Sequence, residues 1–69
     1  MKIPWNDGFK IEVKTTDNEV VISANKEGLL SLSRQLAALA DESPGTHIHY
    51  DAFNSLEEGS AQLIIAKTE

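Results

Sequence analysis

The chain has 69 residues, no cysteine and a formal net charge of −5, from 11 acidic against 6 basic side chains. That length allows one small domain, and the absence of cysteine excludes a disulfide framework. The acidic balance argues against nucleic-acid binding, which relies on Lys and Arg to displace counterions from phosphates, and favours solubility and attraction to a basic partner.

The N-terminal stretch Met1-Lys2-Ile3-Pro4-Trp5-Asn6-Asp7-Gly8 has no apolar h-region and does not read as a signal peptide. No apolar run approaches the roughly 20 residues that a spanning helix needs. The expectation is a cytoplasmic protein with no membrane association. It would form one domain over residues 1–69, with 1–8 as an extension and Trp5 folding over part of an open sheet face.

From Phe9 to Thr15 the residues alternate strictly, with Phe9, Ile11 and Val13 on one side and Lys10, Glu12 and Lys14 on the other. That is the period of a half-buried strand. Thr16-Asp17-Asn18 supplies a turn, and Glu19–Ala24 follows as a second strand of an antiparallel hairpin. Asn25 is placed to cap a helix over about residues 26–42, with Glu27 in its first turn. Leu29, Leu32, Leu36, Leu39 and Ala40 recur at helical spacing and predict the buried face, opposite Ser31, Arg34, Gln35 and Asp41. Gly28 weakens the first turn, so close approach to a sheet is the reading that accounts for it. Ser43-Pro44-Gly45 ends the helix.

His47–Tyr50 reads as a third strand, Ile48 and Tyr50 facing the core and His47, His49 and Asp51 facing away. Asn54–Gly59 reads as a loop or single turn capped by Ser55. Gln62–Lys67 is a fourth strand whose unbroken apolar run predicts a central strand or one covered on both faces. The resulting fold class is α+β, a two-layer β-β-α-β-β sandwich: a four-stranded sheet with one helix on one face. Lys10, Glu12, Lys14, His47, His49 and Asp51 would then lie on the open face.

The crowded stretch His47–Ser60 suggests several chemistries. His47-x-His49-x-Asp51 has metal-like spacing, since alternate strand residues project to one side about 7 Å apart. Polar alternation on a one-sided sheet explains the same pattern, and no metal or other cofactor is expected. Ser55 or Ser60 as a nucleophile would need an oriented histidine base, and no Gly-x-Ser-x-Gly elbow is present. Adjacent Glu57 and Glu58 need not face each other as glycosidase carboxylates must. The four glycines are scattered and form no phosphate loop. The chain therefore reads as non-enzymatic. Trp5 and Tyr50 are residue types that anchor interfaces, but core packing is the preferred role for Tyr50. Asp51, Asn54, Glu57 and Glu58 form an acidic loop suited to docking on a basic groove, where carboxylates take phosphate positions and pair with arginine.

Gly28-Leu29-Leu30-Ser31-Leu32, the Gln35-Leu36 to Leu39-Ala40 spacing, His47-x-His49-x-Asp51, Asn54-Ser55-Leu56-Glu57, Gly59-Ser60 and Leu63-Ile64-Ile65 occur in that order. Together they resemble a bacterial family of immunity proteins of polymorphic toxin systems, the one numbered thirty-two, over about residues 20–67. The resemblance implies a binding protein that neutralises a cognate toxin, with His47, His49, Asp51, Asn54, Glu57 and Glu58 as contact candidates. The alternative is a small structural or regulatory interaction domain without a toxin partner, paired as a homodimer through its open sheet face. A monomer or weak homodimer is expected.

Overall fold

The computed structural model describes residues 3–69; Met1 and Lys2 of the expected N-terminal extension lie outside the described residues. The elements run β1 (Ile11–Thr16), β2 (Glu19–Ala24), α1 (Lys26–Ala40), β3 (His47–Tyr50) and β4 (Leu63–Ala66). The α+β class and the β-β-α-β-β order are those the sequence predicts. The strands, however, form two two-stranded antiparallel sheets, β1–β2 and β3–β4, rather than one four-stranded sheet.

The first hairpin turns at Asp17-Asn18, where Asp17 takes φ 50°. Aspartate visits that left-handed region at modest cost. The register pairs Ile11 with Ala24 and Val13 with Ile22 on the face that holds the core. In the second hairpin Ile48 pairs with Ile65 and Tyr50 with Leu63, again on the core side.

What joins the two sheets is a short segment of irregular backbone. The Glu57 amide donates to the Ile11 carbonyl at 2.8 Å and the Ala61 amide to the Val13 carbonyl at 2.9 Å. The Val13 amide in turn donates to Ser60 Oγ at 3.2 Å. Residues 57–61 therefore line the edge of β1 away from β2. The left-handed Gly59 (φ 86°) lies within this stretch, between the two amides that reach β1, so regular pairing does not carry through to β4.

α1 starts as expected. Asn25 Oδ1 accepts from the Gly28 amide at 2.8 Å and also from the Lys10 amide at 3.0 Å, while Asn25 Nδ2 donates to the Gly8 carbonyl at 2.9 Å. One cap thus ties the helix to the approach of β1. Gly28 sits where a Cβ would lie 2.6 Å from the Lys10 carbonyl oxygen and 2.9 Å from Ile11 Cγ1, which confirms the close approach. The helix has no basic residue in its last turn. Lys67, just past β4, supplies the cation instead: its Nζ donates to the Ala40 and Glu42 carbonyls, each at 2.7 Å.

The buried face of α1 differs from the predicted one. Gly28, Ser31, Gln35 and Leu39 are buried, whereas Leu29 and Leu36 are exposed and Leu32 is half-buried. The reason is the N-terminal segment. It packs beside the helix and not over the open sheet face. Gln35, 0 % exposed, donates from Nε2 to the Pro4 carbonyl at 2.7 Å and accepts from Tyr50 Oη at 2.7 Å. Ser31 Oγ accepts from the Asn6 amide and donates to the Glu27 carbonyl, both at 2.8 Å. Every polar atom of those two side chains is then used or accounted for, so their burial is tolerable. Trp5 stacks on Phe9 with centroids 4.3 Å apart and meets the Tyr50 ring edge-on at 6.3 Å.

The core is Ile11, Val13, Leu39, Ile48, Tyr50 and Leu56, with Trp5, Phe9, Leu32, Leu63 and Ile65 packed around it. β4 is not covered on both faces: Ile64 is exposed and pairs with His49 on the outer side. A single helix layer covers only the inner side, and a fully apolar strand at this position reflects composition rather than double coverage.

Candidate functional site

The connection between β3 and β4 is the longest in the chain, and hydrogen bonds within it define its shape. Asp51, directly after β3, caps a turn: its Oδ1 accepts from the Phe53 amide at 2.9 Å and the Asn54 amide at 3.0 Å. Its carbonyl accepts from the Ser55 amide at 3.0 Å and the Leu56 amide at 2.8 Å. The cap is therefore Asp51 and not Ser55, whose buried hydroxyl instead hydrogen-bonds Asn54 Oδ1. Asn54 closes the turn from the other side. Its Oδ1 accepts from the Asp51 amide at 3.2 Å, and its Nδ2 donates to the His49 carbonyl at 3.4 Å. Leu56 then drops into the core, 5 % exposed, and the Glu57 amide reaches β1. Gly59 closes the stretch, its carbonyl accepting from Lys14 Nζ at 3.3 Å.

The candidates separate into two kinds. Asp51 and Asn54 spend their polar atoms on the loop's own backbone, so they shape the surface. His47, His49, Glu57 and Glu58 are exposed and present their heads outward. His47 and His49 alternate on the outer side of β3, paired across the hairpin with Ala66 and Ile64. His49 Nε2 lies 3.3 Å from Gln62 Oε1. Asp51, engaged as a cap, does not join the histidines as a third ligand, and among the described residues no three His, Cys, Asp or Glu side chains are grouped to hold a metal ion.

Sequence reasoning missed Phe53. Its ring is 98 % exposed at the tip of the Asp51–Leu56 turn, while the backbone under it is held by the Asp51 carboxylate. A signal was present: an Asp-x-x-Asn pattern that closes an Asx-type turn leaves the intervening side chains pointing outward. Elsewhere, Glu12 and Glu57 line an open cleft of about 330 Å³ with Lys10, Ser23 and Asn25.

Tyr50 lies under the N-terminal segment with its hydroxyl donating to Gln35. Burial pushes its phenol above the usual value, consistent with a neutral donor to Gln35. It lies beneath the surface and serves the core.

No helix among the described residues is long and apolar enough to cross a membrane. No curated protein and no solved structure matches the chain. The sequence profile described as immunity protein 32 matches residues 19–68, which takes in β2, the helix, both strands of the second hairpin and the whole capped loop. With well over half of its length following that pattern, the chain belongs to the immunity protein 32 family.

Proposed function

We propose that this immunity protein works without catalysis, in the cytoplasm, by docking on a cognate protein toxin through the loop after β3. The observation that carries the reading is the fully displayed Phe53 on a backbone fixed by Asp51 and Asn54, followed along the same loop by the exposed Glu57 and Glu58. An aromatic side chain held in the open costs solvation and gains nothing for the fold. It becomes favourable when a partner covers it. A preformed loop also spares the ordering entropy that a flexible one would lose on binding. The two glutamates add attraction to arginine or lysine around a basic groove, in keeping with the net charge of −5. His47 and His49 extend the same surface along β3, and Asp51 and Asn54 hold it in shape.

The test is co-expression with a candidate toxin from a neighbouring gene. Co-purification and restored growth are expected. Phe53→Ala, and separately Glu57→Lys with Glu58→Lys, should each weaken the complex by about tenfold or more, the cost typical of an interface anchor. The melting temperature of the free protein should stay nearly constant. Full protection by both variants, or no complex with the native chain, would falsify the docking surface.

A further inference from the structure

We propose that β2 pairs antiparallel with β2 of a second copy of this chain, giving a two-fold dimer whose two helices meet through the Leu29–Leu36 flank.

The inference starts from which way the backbone of β2 points. In an antiparallel pair, each residue turns its N–H and C=O to the same side. Ile11 and Val13 turn theirs to Glu57, Ser60 and Ala61, away from β2. Their partners across the hairpin, Ala24 and Ile22, must likewise turn away from β1, and so must Val20. The amides and carbonyls of Val20, Ile22 and Ala24 therefore face outward. Among the described residues no other segment bonds to that edge.

Edges of this kind are normally blunted by proline, lysine, a bulge or a covering loop. Glu19-Val20-Val21-Ile22-Ser23-Ala24 has none of these and carries one charge, at its first residue. Its apolar side chains are open as well: Val20 is 62 % exposed, and Val21 and Ile22 are each more than two-fifths exposed.

Self-complementarity identifies the occupant. The outward groups sit on even-numbered residues, so a copy pairs in register with the two-fold at Val21 or at Ile22. In the first case Val20 exchanges both hydrogen bonds with Ile22 of the copy; in the second Ile22 meets its own counterpart and Val20 meets Ala24. Glu19 then faces Ser23 or Asn25, never another Glu19, so no like charges oppose each other. Val20 and Ile22 share the core side of the sheet with Val13 and with α1. The N-terminal segment covers the Ser31–Gln35 flank of the helix. Leu29 and Leu36, two turns apart on the opposite flank with half-buried Leu32 between them, remain open. Pairing two β2 edges brings these two flanks together over the new sheet, closing edge and leucine strip with one symmetric contact. β1 separates the β2 edge from residues 57–61, so the acidic loop stays free in both copies.

Light scattering on the full chain from low to several hundred micromolar tests this. The expected result is a monomer–dimer equilibrium that stops at two. Val20 and Ile22 amides should exchange with deuterium more slowly as concentration rises. Ile22→Lys, and independently Leu36→Glu on the helix, should each weaken dimerisation about tenfold or more, while circular dichroism stays native. A chain that is monomeric throughout, or that grows past two without limit, overturns the proposal. So does a monomer whose toxin complex is broken by Ile22→Lys, which would assign the edge to a strand of the toxin. Loss of dimer with toxin binding intact separates this contact from the Phe53 surface.

Discussion

On one flank of α1 the side chains are polar and wholly buried; on the other they are leucines and largely exposed. Ser31 and Gln35 go inward because three groups wait for them there: the Pro4 carbonyl, the Asn6 amide and the Tyr50 hydroxyl. Leu29 and Leu36 stay outside because, among the described residues, no segment covers that flank. Burial in so small a domain is thus decided by what covers a face and less by what the face is made of. A polar residue with every hydrogen bond made costs little inside, and an apolar one without a neighbour has nowhere to go.

The strongest way to break this contrast is Gln35→Ala. The change leaves the Tyr50 hydroxyl and the Pro4 carbonyl without their partners and opens a void between helix, hairpin and N-terminal segment. Each buried group left unpaired costs about 1–3 kcal/mol, so a total loss of about 2–4 kcal/mol is expected in urea unfolding. A loss below about 0.5 kcal/mol, the scale of an ordinary surface change, would mean that the network is decorative.

Gly28→Ala comes next. On helix propensity alone it should stabilise by up to about 1 kcal/mol. The added methyl would stand 2.6 Å from a backbone carbonyl oxygen that β1 cannot move freely, because the same Lys10 carbonyl accepts from the Asn25 amide at 3.1 Å. A net destabilisation of about 1–3 kcal/mol is expected, with a lower melting temperature despite the better helix former. A higher melting temperature would show that helix and hairpin have room to separate.

The phenol of Tyr50 offers a smaller, pH-dependent probe of the buried flank. Its folded value is raised by burial above the unfolded value near 10. Neutral Tyr50 contributes fully below the unfolded value. Its contribution is lost as pH rises through the folded value, because the unfolded chain releases the proton first. Urea midpoints should therefore fall on the alkaline side in the native chain, and Tyr50→Phe should remove part of that slope while lowering stability at neutral pH. Parallel alkaline slopes in both proteins would assign the titration elsewhere.

Much of this architecture is legible in the sequence, and the failures share a cause. Local chemistry reads well: the Asn25 cap, the Asp17-Asn18 turn, the tight fit at Gly28 and the alternation that buries Ile48 and Tyr50 all follow from residues near each other in the chain. What is misread depends on distant cover. Periodicity selects the leucine flank because it cannot see residues 4–6 folding back 25 to 31 positions to meet Ser31 and Gln35. The run Leu63–Ala66 suggests double coverage because nothing local says that one face lacks a layer. The Lys67 ammonium at the helix end is likewise supplied from 25 residues away, beyond the reach of local pattern. In the candidate site, the polar residues stand out in the sequence by their density. Two of them, Asp51 and Asn54, turn out to build the platform for Phe53, a lone aromatic that composition does not flag.

The mildest change, Leu36→Gln, sharpens the comparison from the exposed side. In a monomer it replaces one open side chain by another with similar helix propensity, so stability should move by no more than about 0.5 kcal/mol. In a dimer that packs this flank, the same change removes an apolar contact that exists only when two chains meet. The two cases are told apart by repeating thermal melts across a wide range of protein concentration. If the native chain gains melting temperature with concentration and Leu36→Gln does not, the leucine flank is covered by a second copy, since mass action stabilises only what associates in the folded state. If both melt alike at every concentration, the flank faces water, and the apolar periodicity of α1 reflects helix-forming propensity alone.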